Sequence, residues 1–116
     1  MTHHQAVLAF NHLIVQRKFD EALEFYAEKI VVTHNTDTPV KGINDLKHWM
    51  NNFVKANTIE SIEVVSLLTE DSLSVTNWYI AYTDKQGNKT NGHRFSVQRW
   101  IDNKIVQESH FYKVDD

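Results

Sequence analysis

The chain has no cysteine among its 116 residues, so it holds no disulfide scaffold and no thiolate nucleophile. That usage fits a reducing compartment. Long apolar runs are also absent. No stretch approaches the roughly 18 apolar residues of a membrane span, and MTHHQAVLAFNHLIVQRK has no basic leader before an apolar core. A cytoplasmic location is the expectation, with no membrane partner. Proline occurs once, as Pro39, and glycine three times, as Gly42, Gly87 and Gly92. There is no linker, internal repeat or low-complexity run. Charge of one sign is missing too: 12 Lys and Arg against 15 Asp and Glu give a net charge of -3. This mild acidity argues against a nucleic-acid partner, which demands a basic footprint. Phosphate-cradling G-x-G-x-x-G and G-x-x-x-x-G-K-S/T patterns are lacking, and no serine sits in a nucleophile-elbow sequence.

What is present suffices for one domain over residues 1–116, with 41% apolar and 11% aromatic residues. Thr2 is placed to cap a helix over 3–17 with an apolar stripe of Ala6, Phe10, Leu13 and Ile14, leaving His3, His4 and Gln5 solvated. A short helix follows Asp20, its apolar contacts from Ala22, Leu23, Phe25 and Tyr26. The β-branched run 30–34 predicts a strand, and NTDTPVKG a loop. From Asn44 or Asp45 to Ala56, Leu46, Trp49, Met50 and Phe53 fall at i, i+3, i+4 and i+7, the spacing of an amphipathic helix.

Strands are expected over 59–68 and 73–83, and over the two arms of Gly92 to Lys113, which turn at Asp102-Asn103. A two-residue turn pairs Ile101 with Lys104 and Trp100 with Ile105. An unbroken ladder then sets Phe95 beside His110, Val97 beside Glu108 and His93 beside Tyr112. A turn at Lys85–Asn88 sets Trp78 beside Phe95. One face thereby carries Trp78, Phe95 and His110, flanked by Ile80, His93, Tyr112, Thr76, Val97 and Glu108. Helices covering this face give an α+β domain. Tyr79, Val75 and Trp100 fall on the other face, where their apolar surface points to a dimer.

This order of elements resembles the nuclear transport factor 2-like superfamily, and within it the small SnoaL-like and ketosteroid-isomerase-like proteins. The resemblance rests on VVTHNTDTPVKGINDLKHWM and on RFSVQRWIDNKIVQESHFYKVD, with Asn103 where the family's turn commonly has glycine. It spans nearly the whole chain. It implies a cone-shaped, cystatin-like α+β roll: three N-terminal helices on a curved, mainly antiparallel sheet, with a cavity between them and a homodimer through the outer sheet face. Family activities include isomerisation, aldol cyclisation, dehydration and epoxide opening, and other members only bind a ligand or partner, so the fold alone selects none.

The family's isomerases place an Asp base near the end of the first strand, where this chain has Thr33, His34 and Asn35; Asp37 matches only with a shift. His34 is a candidate base in its place, or a hydrogen-bonded strand-end histidine. Glu108 and His110 stand two residues apart, on one face of a strand, so the carboxylate can fix the imidazole's tautomer. They read as a catalytic pair, as pocket lining, or as a structural group with Glu108 paired to Arg99. His34, His93, His110 and Glu108 lack the compact spacing of a metal site, and no metal or cofactor is expected. Trp49, Trp78, His93, Phe95 and Tyr112 are the candidate substrate-binding residues, with Tyr112 or His93 to steady an enolate. The expected ligand is a small apolar or aromatic molecule. The functional expectation is a cofactor-independent isomerase, cyclase or dehydratase acting on such a carbonyl compound, against a non-catalytic ligand-binding or protein-interaction domain.

Overall fold

The structure is a computed structural model that describes residues 1–113; Val114 and Asp115, the end of the second motif, lie outside the described residues. Helix α1 spans His3–Val15 and starts with a reciprocal capping box between Thr2 and Gln5. His3 is only partly solvated. Its Nε2 lies 2.8 Å from the Leu73 carbonyl oxygen and its ring stands edge-on to Trp100. Helix α2 covers only Phe19–Ala22 and continues as a 3-10 turn, Leu23–Phe25.

Strand β1 runs Tyr26–His34, four residues earlier than its β-branched run suggested, so Tyr26 is a strand residue and not a helical one. The loop after it contains a two-residue strand, β2, Val40–Lys41. Gly42, at φ 87°, then ends the loop in a conformation that disfavours other residues, and α3 follows over Ile43–Ala56. The remaining strands are β3 (Asn57–Glu70), β4 (Leu73–Asp84), β5 (Lys89–Ile101) and β6 (Lys104–Tyr112). They form one sheet in the order β2-β1-β6-β5-β4-β3. All neighbours are antiparallel except β1 and β6, which run parallel. This is the expected α+β roll, with three helices packed on a mainly antiparallel sheet.

Registers decide which side chains reach the interior. The β5–β6 turn has Asp102 at φ 50° and Asn103 at φ 60°, both left-handed, as a type I′ hairpin requires. Ile101 pairs with Lys104 and Trp100 with Ile105, as expected. Val106 is then an extra residue, because Arg99 pairs with Gln107. Beyond the bulge Gln98 faces Glu108, Ser96 faces His110 and Phe95 faces Phe111. On β4 the pairing is also one residue from the expected one: Trp78 meets Arg94, and Tyr79 meets His93. A one-residue slip exchanges the faces of a strand. Phe95 and His93 therefore lie on the outer face, whereas Trp100 is inside at 2% exposure.

Trp100 belongs to the core with Phe10, Tyr26, Ile30, Val32, Leu46 and Ile105. Phe10 stands edge-to-face with Phe25, Tyr26 and Trp100, which closes one end of the cone with aromatic packing. The other end, between α3 and the sheet, is not filled.

Candidate functional site

An alternating strand in a half-buried sheet normally turns its polar residues to water. The β5–β6 hairpin does the reverse. Its inner face presents Arg94, Ser96, Gln98, Glu108 and His110, while Phe95 and Phe111 stand on the outer face. The inward polar groups are held by each other. The Glu108 carboxylate is 3% exposed and accepts hydrogen bonds from the Tyr26 hydroxyl and from Gln98 Nε2, each at 2.7 Å. Gln98 Oε1 in turn accepts from Ser74 Oγ, which accepts from the Trp100 indole N–H. His110 Nε2 lies 3.5 Å from Glu108 Oε1, and its Nδ1 is 2.9 Å from Ser96 Oγ. The tautomer that directs Nε2–H at the carboxylate leaves Nδ1 to accept from Ser96.

Burial pushes the Glu108 carboxyl upward, but the facing imidazole and the hydrogen bonds from Tyr26 and Gln98 outweigh it and hold its pKa below the ordinary value. It is thus a carboxylate at neutral pH. Burial, reinforced by Glu108, raises the Tyr26 phenol well above its usual value, so it remains a donor. Arg99 is exposed and pairs in register with Gln107, so the expected Arg99–Glu108 ion pair is not formed.

His34 ends β1 directly across from His110 in the parallel ladder. Its ring stacks on His110 at 4.7 Å and on Trp49 of α3 at 4.5 Å. Both ring nitrogens are buried without a hydrogen-bond partner. Burial, then the neighbouring His110 and Arg94, lower its pKa to about 4, so the imidazole is neutral at pH 7. A neutral imidazole donates from one nitrogen and accepts at the other.

These groups line a cavity of about 120 Å³. Its apolar wall includes Trp49, Met50 and Phe53 from α3 and Ile62 and Trp78 from the sheet; Arg94, Ser96, Glu108, His34 and His110 supply the polar positions. The amphipathic face of α3 thus forms one wall of the cavity. Of the residues expected in the site, His110, Glu108, His34, Trp49 and Trp78 come together here. Tyr112 stands at the margin, edge-on to His34 and beneath the Arg94 guanidinium. His93 faces out beside Asn77, and Phe95 is 45% exposed, so neither reaches the cavity.

Tyr26, Arg94, Ser96 and Gln98 enter the site without having been expected there. For the three β5 residues the one sequence signal is the alternation R-x-S-x-Q-x-W at 94–100, which ends on the core residue Trp100. Among the described residues no group of three His, Asp or Glu is placed to hold a metal ion. No helix there is long and apolar enough to cross a membrane.

An α+β roll enclosing an apolar cavity with a few convergent polar groups defines a class of small-molecule-binding folds. The chain belongs to the SnoaL-like domain family, whose model matches residues 7–108. Solved structures agree in fold. A protein from Mesorhizobium loti, provisionally described as a SnoaL-like polyketide cyclase, superposes with a TM-score of 0.87 at 17% identity, over 97% of this chain and 100% of that one. An NTF2-like protein of unknown function from Burkholderia pseudomallei gives 0.84 at 12% identity, over 97% and 92%. An LEH-like epoxide hydrolase from M. tuberculosis gives 0.78 at 13%, over 94% and 80%. At these identities the likeness establishes the fold alone. No curated protein matches the chain at a significant level.

Proposed function

We propose that the inner cavity binds a small, largely apolar carbonyl compound and moves a proton on it without a cofactor, as an isomerase, cyclase or dehydratase does. The observation that carries this reading is the stacked His34–His110 pair in an apolar cavity, with both nitrogens of His34 unpartnered. Unsatisfied buried polar atoms are rare in native proteins, and the residue that carries these two lines the cavity.

His110 is the base in this proposal. It removes a proton next to the carbonyl at Nδ1, a position the Ser96 hydroxyl holds and releases by rotating about a single bond. Glu108 orients the ring and stabilises the imidazolium that forms. The electron pair of the broken C–H bond moves to the carbonyl oxygen, where the neutral His34 donates a hydrogen bond. This role suits a group whose pKa is about 4, too low for an effective base at neutral pH. Return of the proton to another carbon completes an isomerisation, and loss of a β-hydroxyl as water completes a dehydration. Relatives described as cyclases and as an epoxide hydrolase support small-molecule chemistry in this fold, without selecting the reaction.

The rival reading, a non-catalytic binding domain, is favoured by the protein partners that both His110 nitrogens already have. Deuterium incorporation from D2O into a panel of small ketones, aldehydes and β-hydroxy carbonyl compounds, followed by NMR, separates the two. Exchange that wild type accelerates and His110→Ala loses supports the enzyme. Ligands that bind without exchange support the rival. The same proposal includes a homodimer through the outer sheet face, where Phe95 and Phe111 pair in register at 45% and 51% exposure.

A further inference from the structure

We infer that the ligand of this site is a small monocarboxylate, its carboxylate held by Arg94 at the boundary between the inner cavity and a second, outer pocket. The inference rests on the cavity being a binding site and adds the charge of what it binds.

Arg94 projects from the inner face of β5 between Trp78 and Tyr112. It is one of two side chains, with Ile80, that line both the inner cavity and an outer pocket of about 270 Å³. Tyr82, Thr90, Asn91, Tyr112 and Lys113 form most of the outer one. The guanidinium lies 4.1 Å above the centre of the Tyr112 ring, which fixes the plane of its fork. It makes no salt bridge among the described residues; the sole ion-pair contact recorded there is His110–Glu108.

Glu108, the acid of the cavity, is committed elsewhere, to Tyr26, Gln98 and His110. A half-buried guanidinium loses much of its hydration, and the Tyr112 face with the neighbouring Tyr82 hydroxyl replaces only part of it. The fork therefore has donors left for an anion, and its geometry matches a carboxylate bidentately. His34, with both nitrogens unpartnered, lines the same cavity and offers a further hydrogen bond to that anion or to the atom beside it.

Size and charge narrow the class. The inner cavity is comparable to cavities that take up a single benzene-sized molecule. One cation against a mainly apolar wall suits a monoanion better than a phosphate dianion, which calls for several donors. Lys113 at the outer pocket adds a positive charge along the approach. A compact aromatic or branched aliphatic acid, its body against Trp49 and Trp78 and its carboxylate on Arg94, fits these constraints.

The test uses matched pairs that differ only in charge: benzoate with benzamide, and isobutyrate with isobutyramide. Binding is followed by calorimetry and by tryptophan fluorescence, since Trp49 and Trp78 line the cavity. For the pair that fits, wild type should bind the acid at least tenfold more tightly than the amide. Arg94→Gln should abolish that preference by weakening the acid far more than the amide, while Arg94→Lys should retain part of it, with far-UV circular dichroism confirming the fold of both. Equal binding of acid and amide by wild type overturns the carboxylate assignment and leaves the cavity as a binding site. A preference that survives in Arg94→Gln overturns the role of Arg94. Failure of both acids and both amides to bind overturns the assignment together with the binding-site reading beneath it.

Discussion

His34 and His110 lie face to face, ring centroids 4.7 Å apart and planes 18° from parallel, because they are register partners in the parallel β1–β6 ladder. Only His110 has a carboxylate beside it. Two imidazoles so close cannot both be protonated cheaply, and the pair divides into a ring supported by Glu108 and a ring held neutral.

That division makes stability depend on pH. The folded-state pKa of His34 is about 4, against an ordinary value near 6.5. The unfolded chain therefore binds the extra proton between these values, and stability falls as pH drops through that window. The expected loss is of order 2 kcal/mol, less than full conversion of the shift because the cavity reaches solvent. Urea unfolding at pH 4 to 7 should show this slope in wild type and a shallower one in His34→Phe. Parallel slopes would remove His34 as its source.

Glu108 acts in the same sense at lower pH. Its folded pKa is depressed, so its stabilisation is present above the ordinary carboxylate value and disappears as pH falls through the depressed one. Glu108→Ala leaves Tyr26 and Gln98 with buried donors unpaired and should cost about 2–4 kcal/mol, whereas Tyr26→Phe should cost about 1 kcal/mol. Chemical denaturation of the two variants checks the order; equal costs would contradict the network.

The inward face of β5 can be tested by neighbouring residues. Trp100 is 2% exposed with its indole bonded to Ser74, and Trp100→Ala should cost about 3–5 kcal/mol. Ile101, next in sequence and 58% exposed, should lose less than about 0.5 kcal/mol on truncation. Reversal of that order in unfolding experiments would place the opposite strand face inside.

On the outer face, Phe95→Glu puts a charge opposite Phe111. If the homodimer forms there, light scattering coupled to size exclusion should show a dimer for wild type and a monomer for the variant. Because Phe95 is 45% exposed, folding stability should change by less than about 1 kcal/mol. A wild-type monomer at all concentrations would exclude the dimer.

Local chemistry in the sequence determined much of this architecture. Apolar residues at helical spacing placed Leu46, Trp49, Met50 and Phe53 on one side of α3, where they line the cavity. Thr2 capped α1, and Asp102-Asn103 supplied the two left-handed residues that turn the final hairpin. Glu108 and His110, two apart on a strand, had to share a face. Each of these follows from a handful of adjacent residues.

Which face was inward did not follow, because the side-chain period of a strand is two and a single extra residue reverses it. Val106 is that residue on β6, and the β4–β5 turn shifts β5 by one more position against the expected pairing. These two shifts, set by long-range pairing, exchanged Phe95 and His93 for Arg94, Ser96 and Gln98. The polar-apolar alternation of β5 is inverted because Gln98 and its polar neighbours bond one another inside the sheet. The parallel pairing of β1 with β6 joins residues more than 70 positions apart, as in the contact of Thr33 with Ser109, and no local pattern encodes it. Tertiary structure alone brought His34 onto His110 and left Arg94 between two pockets.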